Sequence, residues 1–258
     1  MAQKYWSKLE DDGDITTPEV GPAGTKDGSP TYVACKFNNG IYVDVDAEGY
    51  HFPNNPTVIT GATKGTVEFW IKPDFDLVNG IPATARHHMF VEYNPAGSAW
   101  LLFYIHGGEG IRIYRADDSN VAVDAVDSTT DWTAGDLVHL AFVWDAAAGF
   151  DSTKTLAVYV NGVQTASSTT ALGTFTDDTS DIHVGWWPTV ADKEMDSALD
   201  NLKIHDVAKT DFSDKDTEDT SPVVGPPGIK TINDLAIASI KTVNDVAIGS
   251  VKTIQDAS

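Results

Sequence analysis

Between Leu137 and Thr165 the chain reads LVHLAFVWD, then a polar break, AAAGFDSTKT, then LAVYVNGVQT. Two runs of alternating side chains flank a turn-rich insert, and this period of two puts neighbouring residues on opposite faces of a β-strand. Val138, Leu140, Phe142 and Trp144 fall on one face of the first run, and Leu137, His139, Ala141 and Val143 on the other. Neither face is polar throughout, so both need at least partial cover. In the second run Leu156, Val158 and Val160 alternate with Ala157 and Tyr159 and lead into Asn161-Gly162. Both positions of that pair tolerate positive φ, the requirement of a tight hairpin turn, so a third strand from Val163 to Ser167 is expected.

The rest of the chain supplies partners for this pair. Residues 1–30 contain Tyr5 and Trp6, acidic positions from Asp11 to Asp14, then Pro18, Gly21, Pro22, Gly24, Gly28 and Pro30. Such a mixture predicts an extended arm, since it sustains neither a helix nor a central strand. From Thr31, Tyr32, Ala34 and Lys36 alternate with Val33, Cys35 and Phe37, with Asn39-Gly40 as the expected turn and Ile41, Val43 and Val45 as the return strand. The single cysteine, Cys35, excludes an intramolecular disulfide framework and reads as a small buried hydrophobe in that strand. His51 to Thr60, with two prolines and two asparagines, reads as a loop. Further strands are expected at Thr66–Lys72, His88–Tyr93, Ala99–His106, Ile111–Arg115, Ile182–Trp186 and Ser197–His205. About a dozen strands with no helical period describe an all-β, two-sheet antiparallel sandwich.

Four segments in order carry a resemblance. Gly65 to Pro73 (GTVEFWIKP), then Trp132 and Gly135 ahead of the strand ending Trp144-Asp145, then Tyr159-Val-Asn-Gly-Val163, then Ala198 to Asp206 (ALDNLKIHD) resemble the laminin-G-like and pentraxin-like members of the concanavalin A-like jelly rolls. The resemblance implies a jelly-roll sandwich, here over residues 31–212. It leaves function open, because the architecture carries lectins, adhesion modules, spacers and glycosidases alike.

Three kinds of site follow. Members of the resembled family often hold Ca²⁺ near the closing strand; the resemblance implies Asp200 as a ligand, with Asn201 beside it and Asp44 or Asp46 on the opening hairpin completing a shell of hard oxygens. Some jelly rolls of the class are endoglucanases with a strand of the form Glu-x-Asp-x-x-Glu or Glu-x-Asp-x-Glu. Glu194-Met195-Asp196 begins that way, but Ala198 and Leu199 stand where the second glutamate belongs, and a retaining glycosidase needs two carboxyl groups. No catalytic residue is therefore assigned. Trp186 and Trp187 follow the Gly185 bend, and Trp100, Tyr104 and His106 share one face of a strand. Aromatic rings of this kind can stack on the C–H faces of sugars, which makes these five residues the expected glycan-binding set.

Lys and Arg number 17 against 38 Asp and Glu, a formal charge of −21. That balance opposes binding to nucleic acid or an anionic membrane, and no apolar run reaches the ~18 residues of a membrane-spanning helix.

Beyond Asp206 an acidic stretch leads to Pro222, Gly225, Pro226, Pro227 and Gly228, so residues 213–228 read as a linker. Then Ile229-Lys-Thr-Ile-Asn-Asp-Leu-Ala-Ile-Ala-Ser239 repeats from Ile240 to Ser250 and begins again at Val251, a period of eleven residues. Eleven resolves into a nine-residue strand and a two-residue turn, so residues 229–258 are expected to form a β-meander. The unit resembles short repeats of tailed-phage virion proteins, with Asp in place of their turn Gly. A meander this small is expected to become stable by pairing with copies of itself or with a partner's sheet. The start, Met1 to Asp12, has no apolar h-region. The expectation is a structural and adhesive virion protein, a capsid decoration or fibre, assembled in the cytoplasm as a homo-oligomer, a trimer, and displaying a glycan- or surface-binding jelly roll. The alternatives are a free bacterial lectin-type module at the extracellular surface and a glycan hydrolase.

Overall fold

The structure, a computed structural model, describes residues 3–54, 63–82, 87–93 (as backbone), 99–147, 149–151, 153–175, 181–187 and 194–218. Two compact units divide the chain, Met1–Glu218 and Asp219–Ser258. The eleven-residue repeats and the meander expected of them lie outside the described residues, as do residues 219–228 of the linker.

The described elements begin with β1 (Gln3–Ser7), a short helix α1 (Asp12–Thr16), β2 (Thr25–Asp27), β3 (Thr31–Ala34), β4 (Asn39–Val43), β5 (Gly49–Pro53) and β6 (Lys64–Pro73). There follow β7 (Leu77–Val78), β8 (Ile81–Pro82), β9 (His87–Tyr93), β10 (Trp100–His106), β11 (Gly110–Ala116) and β12 (Ala122–Asp127). The last are β13 (Val138–Asp145), β14 (Leu156–Val160), β15 (Val163–Ser168), β16 (Asp181–Val184) and β17 (Ser197–His205). An eight-stranded sheet has the order β15-β14-β13-β6-β17-β4-β3, with β1 also paired to β17, and a seven-stranded sheet has the order β12-β11-β10-β9-β16-β5-β2. All pairings are antiparallel, and β7 and β8 form a separate ribbon.

The core lies between the two sheets. Leu140, Phe142 and Trp144 of β13 project into it with Val67, Phe69 and Ile71 of β6, and meet Phe103, Ile105 and Ile113 from the facing sheet. Phe103 stacks on Phe142 with ring centroids 4.6 Å apart and planes 4° from parallel, joining the layers.

The second face of β13 is covered too, as its alternation requires. The segment after β17 folds back across the first sheet, where Phe212 packs with Ala141, Val143, Ala157 and Tyr159. Trp70 Nε1 donates to the Lys215 carbonyl (2.9 Å), and Thr66 Oγ1 donates to the Val207 carbonyl and accepts from Lys209 N, both at 2.8 Å. Beneath this strap lies a buried ionic hub. The Glu68 carboxylate accepts from His205 Nε2 (2.7 Å), His139 Nε2 (3.2 Å) and Lys209 Nζ (2.8 Å). Burial works to raise the Glu68 carboxyl, but the two histidine hydrogen bonds and the Lys209 charge outweigh it and hold the group well below its usual range.

The structure departs from the sequence expectations in several places. Residues 3–30 are integrated into the sandwich: β1 pairs with β17, β2 pairs with β5, and Asp11 caps α1 by accepting from Gly13 N (2.6 Å) and Asp14 N (3.3 Å). The first hairpin turns over residues 35–38, with Asn38 at φ 58° and Ala34 paired to Asn39, so Asn39-Gly40 opens the return strand. Cys35 is consequently a half-buried turn residue, its thiol pushed up to about 12 chiefly by burial. The stretch read as a loop from His51 starts inside β5. Beyond residue 212, the end of the sandwich expected from the sequence, the compact unit runs on to Glu218, and the strap meets the sheet at Phe212 and Lys215.

Candidate functional site

The outer face of the seven-stranded sheet carries the site. Along β10, Leu101, Phe103 and Ile105 point into the core, so Trp100, Leu102, Tyr104 and His106 point outward. Register continues this surface onto β11, where Leu102 faces Tyr114 and Tyr104 faces Arg112, and onto β12, where Tyr114 faces Asp124. Trp187, just beyond the end of β16, meets Trp100 edge-on at 5.4 Å. Together Trp100, Leu102, Tyr104, Arg112, Tyr114, Asn120 and Trp187 line a cavity of about 320 Å³.

Arg112 is the polar centre of this groove. Its two terminal nitrogens donate to Glu109 and Asp124, and its guanidinium carbon lies 5.7 Å from the Tyr104 ring centroid and 5.5 Å from that of Tyr114. Two carboxylates and two rings thus fix the fork. The result is a set of flat apolar ring faces beside a fixed guanidinium and carboxylates, suited to a ligand with an apolar face and a hydroxylated rim.

Gly185 sends the two adjacent tryptophans in different directions. Its φ is 94°, in the left-handed region that favours glycine, and a Cβ there would meet Val43 Cγ2 at 2.9 Å. Trp187 closes the aromatic groove, whereas Trp186 donates from Nε1 to Asp27 Oδ2 (3.1 Å) and packs edge-on against His183 (5.7 Å). Gly49 makes room for it, since a Cβ at that position would lie 2.8 Å from Trp186 Cδ1.

Of the five expected ligand-binding residues, three converge: Trp100, Tyr104 and Trp187. His106 packs beside Tyr104 at 6.1 Å, with Nδ1 3.6 Å from Glu109, and Trp186 belongs to the neighbouring cluster. Sequence reasoning missed Leu102, Arg112, Tyr114 and Asn120. The signal for Leu102, Arg112 and Tyr114 was the Gly107-to-Gly110 turn: folding the two strands about it sets the β11 residues opposite Leu102 and Tyr104.

The expected calcium residues do not converge. Asp200 is buried and accepts from Phe37 N (2.6 Å), but its Oδ1 has no hydrogen-bond partner among the described residues. Burial first, then the Glu218 and Glu10 charges, push its carboxyl up to about 7. Asn201 Oδ1 is taken by Trp6 Nε1 at 2.7 Å. Leu199 pairs with Ile41, which sets Asp44 some four residues, roughly 13 Å, along β4 from the position facing Asp200, and Asp44 and Asp46 are exposed. Asp200 Oδ1 is thus a free buried oxygen fit for a hard cation, but Asn201 Oδ1 is engaged and Asp44 stands along β4, away from it. Glu194 and Asp196 lead into β17, in the other sheet from the aromatic groove.

The model of the concanavalin A-like lectin/glucanases superfamily, in its third laminin-G form, matches residues 44–212. Among curated proteins none matches the sequence. Domain 4 of AbnA, a GH43 extracellular arabinanase from Geobacillus stearothermophilus solved with arabinotriose, is similar at 21% identity and a TM-score of 0.55, over 80% of this chain and 93% of that one. The botulinum neurotoxin serotype G binding domain is similar at 9% identity and a TM-score of 0.60, over 81% of this chain and 48% of that one. The binding domain of botulinum neurotoxin DC, solved in complex with SialylT, gives 11% identity and a TM-score of 0.56, over 83% and 49%. The chain thus spans about half the length of those neurotoxin domains. At these identities the structures establish the fold alone, while the family match over most of the sandwich establishes membership: the chain belongs to the concanavalin A-like lectin/glucanases superfamily.

Proposed function

We propose that the chain is a non-catalytic glycan-binding module whose ligand lies across the groove between Trp100, Tyr104, Tyr114 and Trp187. The observation that carries this reading is the outward convergence of four aromatic rings around Arg112 in a cavity of about 320 Å³. Sugar C–H faces stack on rings, and hydroxyl groups exchange hydrogen bonds with the guanidinium and with Asp124. The arabinotriose and SialylT complexes of two similar domains support a carbohydrate as the ligand class. A non-catalytic role is supported by the position of Glu194 and Asp196 at the start of a strand in the other sheet.

A glycan array, with a reducing-sugar assay run in parallel on every bound glycan, tests the proposal. Retention that is lost in Trp187→Ala and Tyr114→Ala, without release of reducing ends, is the expected result. Retention unchanged in both variants removes the groove from consideration, and release of reducing ends favours the hydrolase reading.

The repeats support a finer reading, that this module is displayed on a particle such as a phage capsid or fibre. Their eleven-residue period, its resemblance to virion repeats and the low charge of the units favour self-association as a trimer, with the linker spacing the sandwiches from the particle. Imaging purified particles from the native source by negative stain, with antibody against the sandwich, tests that placement.

A further inference from the structure

On the same outer face, at the opposite edge of the sheet from β12, three residues remote in sequence come together. His51 of β5 and His183 of β16 are direct cross-strand partners, and Asp27 of β2 lies two residues beyond Thr25, the partner of His51 on its other side. Neighbours of the two histidines, Tyr50, Phe52, Ile182 and Val184, fill the core, so alternation turns both imidazoles outward. Among the described residues this is the one set of three His, Cys, Asp or Glu side chains whose ligand atoms all lie within 4.8 Å of one another.

We infer that Asp27, His51 and His183 form a binding site for a borderline divalent transition-metal ion, with Zn²⁺ the best-matched. Two imidazole nitrogens and one carboxylate oxygen suit zinc rather than Ca²⁺ or Mg²⁺, which take oxygen ligands. Zinc bonds of about 2.0–2.2 Å in tetrahedral geometry set ligand atoms about 3.3 Å apart. Here Asp27 Oδ2 lies 3.0 Å from His51 Nδ1 and 4.0 Å from His183 Nδ1, separations that bracket this spacing.

Two further observations distinguish the cluster from a hydrogen-bonded His–Asp pair. His183 Nδ1 is buried and has no hydrogen-bond partner among the described residues, although it faces the carboxylate. An orphaned buried nitrogen is unfavourable, and a bound cation would satisfy it. The surrounding groups are also those that orient metal ligands: Trp186 Nε1 donates to Asp27 Oδ2 (3.1 Å), and the remote nitrogen of His51, Nε2, lies 3.7 Å from Asp181 Oδ2. A carboxylate behind a ligating imidazole fixes its tautomer and raises its basicity. Three protein ligands leave the fourth zinc position to water. The ion would tie the edge strand β2 to β5 and β16.

Isothermal titration of Zn²⁺ into the full, untagged chain tests the site, with melting temperature and the absorption spectrum of added Co²⁺ as independent readouts. Expected are one ion per chain, a melting temperature raised by about 5–10 °C at hundredfold excess over Kd, and Co²⁺ bands characteristic of nitrogen ligation. His51→Ala and His183→Ala each abolish all three responses, and Asp181→Asn weakens Zn²⁺ binding about 10–100-fold. Folding of each variant is checked by circular dichroism, with His183→Gln substituting for any alanine variant that unfolds. No Zn²⁺ binding by the wild type, undiminished binding in the folded histidine variants, or an equal stabilisation by Ca²⁺ that His51→Ala and His183→Ala abolish overturns the assignment.

Discussion

Trp100 and Trp187 meet edge to face, ring centroids 5.4 Å apart and planes at 71°, and their contact walls one side of the groove on the outer sheet. Trp100 is held by β10, whereas Trp187 follows the Gly185 bend and packs from above. Such a ring belongs more to the binding surface than to the core.

That division predicts how two tryptophan substitutions differ. Trp144 is buried between the sheets, so Trp144→Ala should cost about 3–5 kcal/mol of stability. Trp187→Ala should cost far less and lower glycan affinity about tenfold, or ~1.4 kcal/mol. Urea midpoints alongside the titration of a glycan selected on the array give both numbers. Equal stability losses would place Trp187 in the core.

Glu68 sets a second expectation, at acid pH. Its folded pKa lies well below the ordinary 4.5, so its contribution is fully present above 4.5 and is lost as pH falls through the folded value. The wild type should therefore lose more stability than Glu68→Gln on acidification below 4.5. At neutral pH Glu68→Ala, which leaves buried Lys209 without this partner, should cost about 3–5 kcal/mol. Denaturant midpoints across the pH range check both statements, and parallel acid curves for wild type and Glu68→Gln would remove Glu68 as the source.

Asp200 behaves in the opposite sense. Its carboxyl is raised from 3.8 to about 7, so between those values the folded chain keeps a proton that the unfolded chain has released, and the stability it contributes falls as pH rises through that window. Asp200→Asn, whose side-chain oxygen can still accept from Phe37 N, should remove this slope and melt higher than the wild type above pH 7. If the free Oδ1 takes Ca²⁺, added Ca²⁺ above pH 7 raises the melting temperature of the wild type and leaves Asp200→Asn unmoved. An equal response in both proteins sinks calcium at Asp200.

The central hairpin was legible because each residue of β13 and β14 announces its face, and Asn161-Gly162 permits one turn geometry. What failed to show were elements whose reason for existing lies elsewhere in the chain. β1, β2 and β12 are short or mixed in polarity, and each is a strand because β17, β5 or β11 offers it an unpaired edge. The same holds for the site. Alternation marked Trp100 and Tyr104, but nothing local to Trp187 says that it meets Trp100 while Trp186 turns to Asp27. Asp27, His51 and His183 could not be grouped without the strand order β16-β5-β2.

The tail yields the last expectation. Within the repeats from Ile229 to Ser258 the charges are confined to Lys230, Lys241, Lys252 and the aspartates at the turns, so a lone meander would present two weakly charged faces and two open edges. Soluble proteins avoid that arrangement, and association of several tails covers it. The sandwich unit ends at Glu218, with its own core and its own strap, so it is expected to fold without the repeats. Deleting residues 229–258 should therefore leave the melting transition of the sandwich within a few degrees of the full chain, and convert the trimer proposed for the full chain to a monomer in multi-angle light scattering. Multivalent glycan retention should fall with it, because linked sites bind together at an effective concentration set by the linker. A truncated chain that keeps the full-length mass in solution would show that the sandwich itself carries the assembly contact, and the display role proposed for the repeats would then lose its basis.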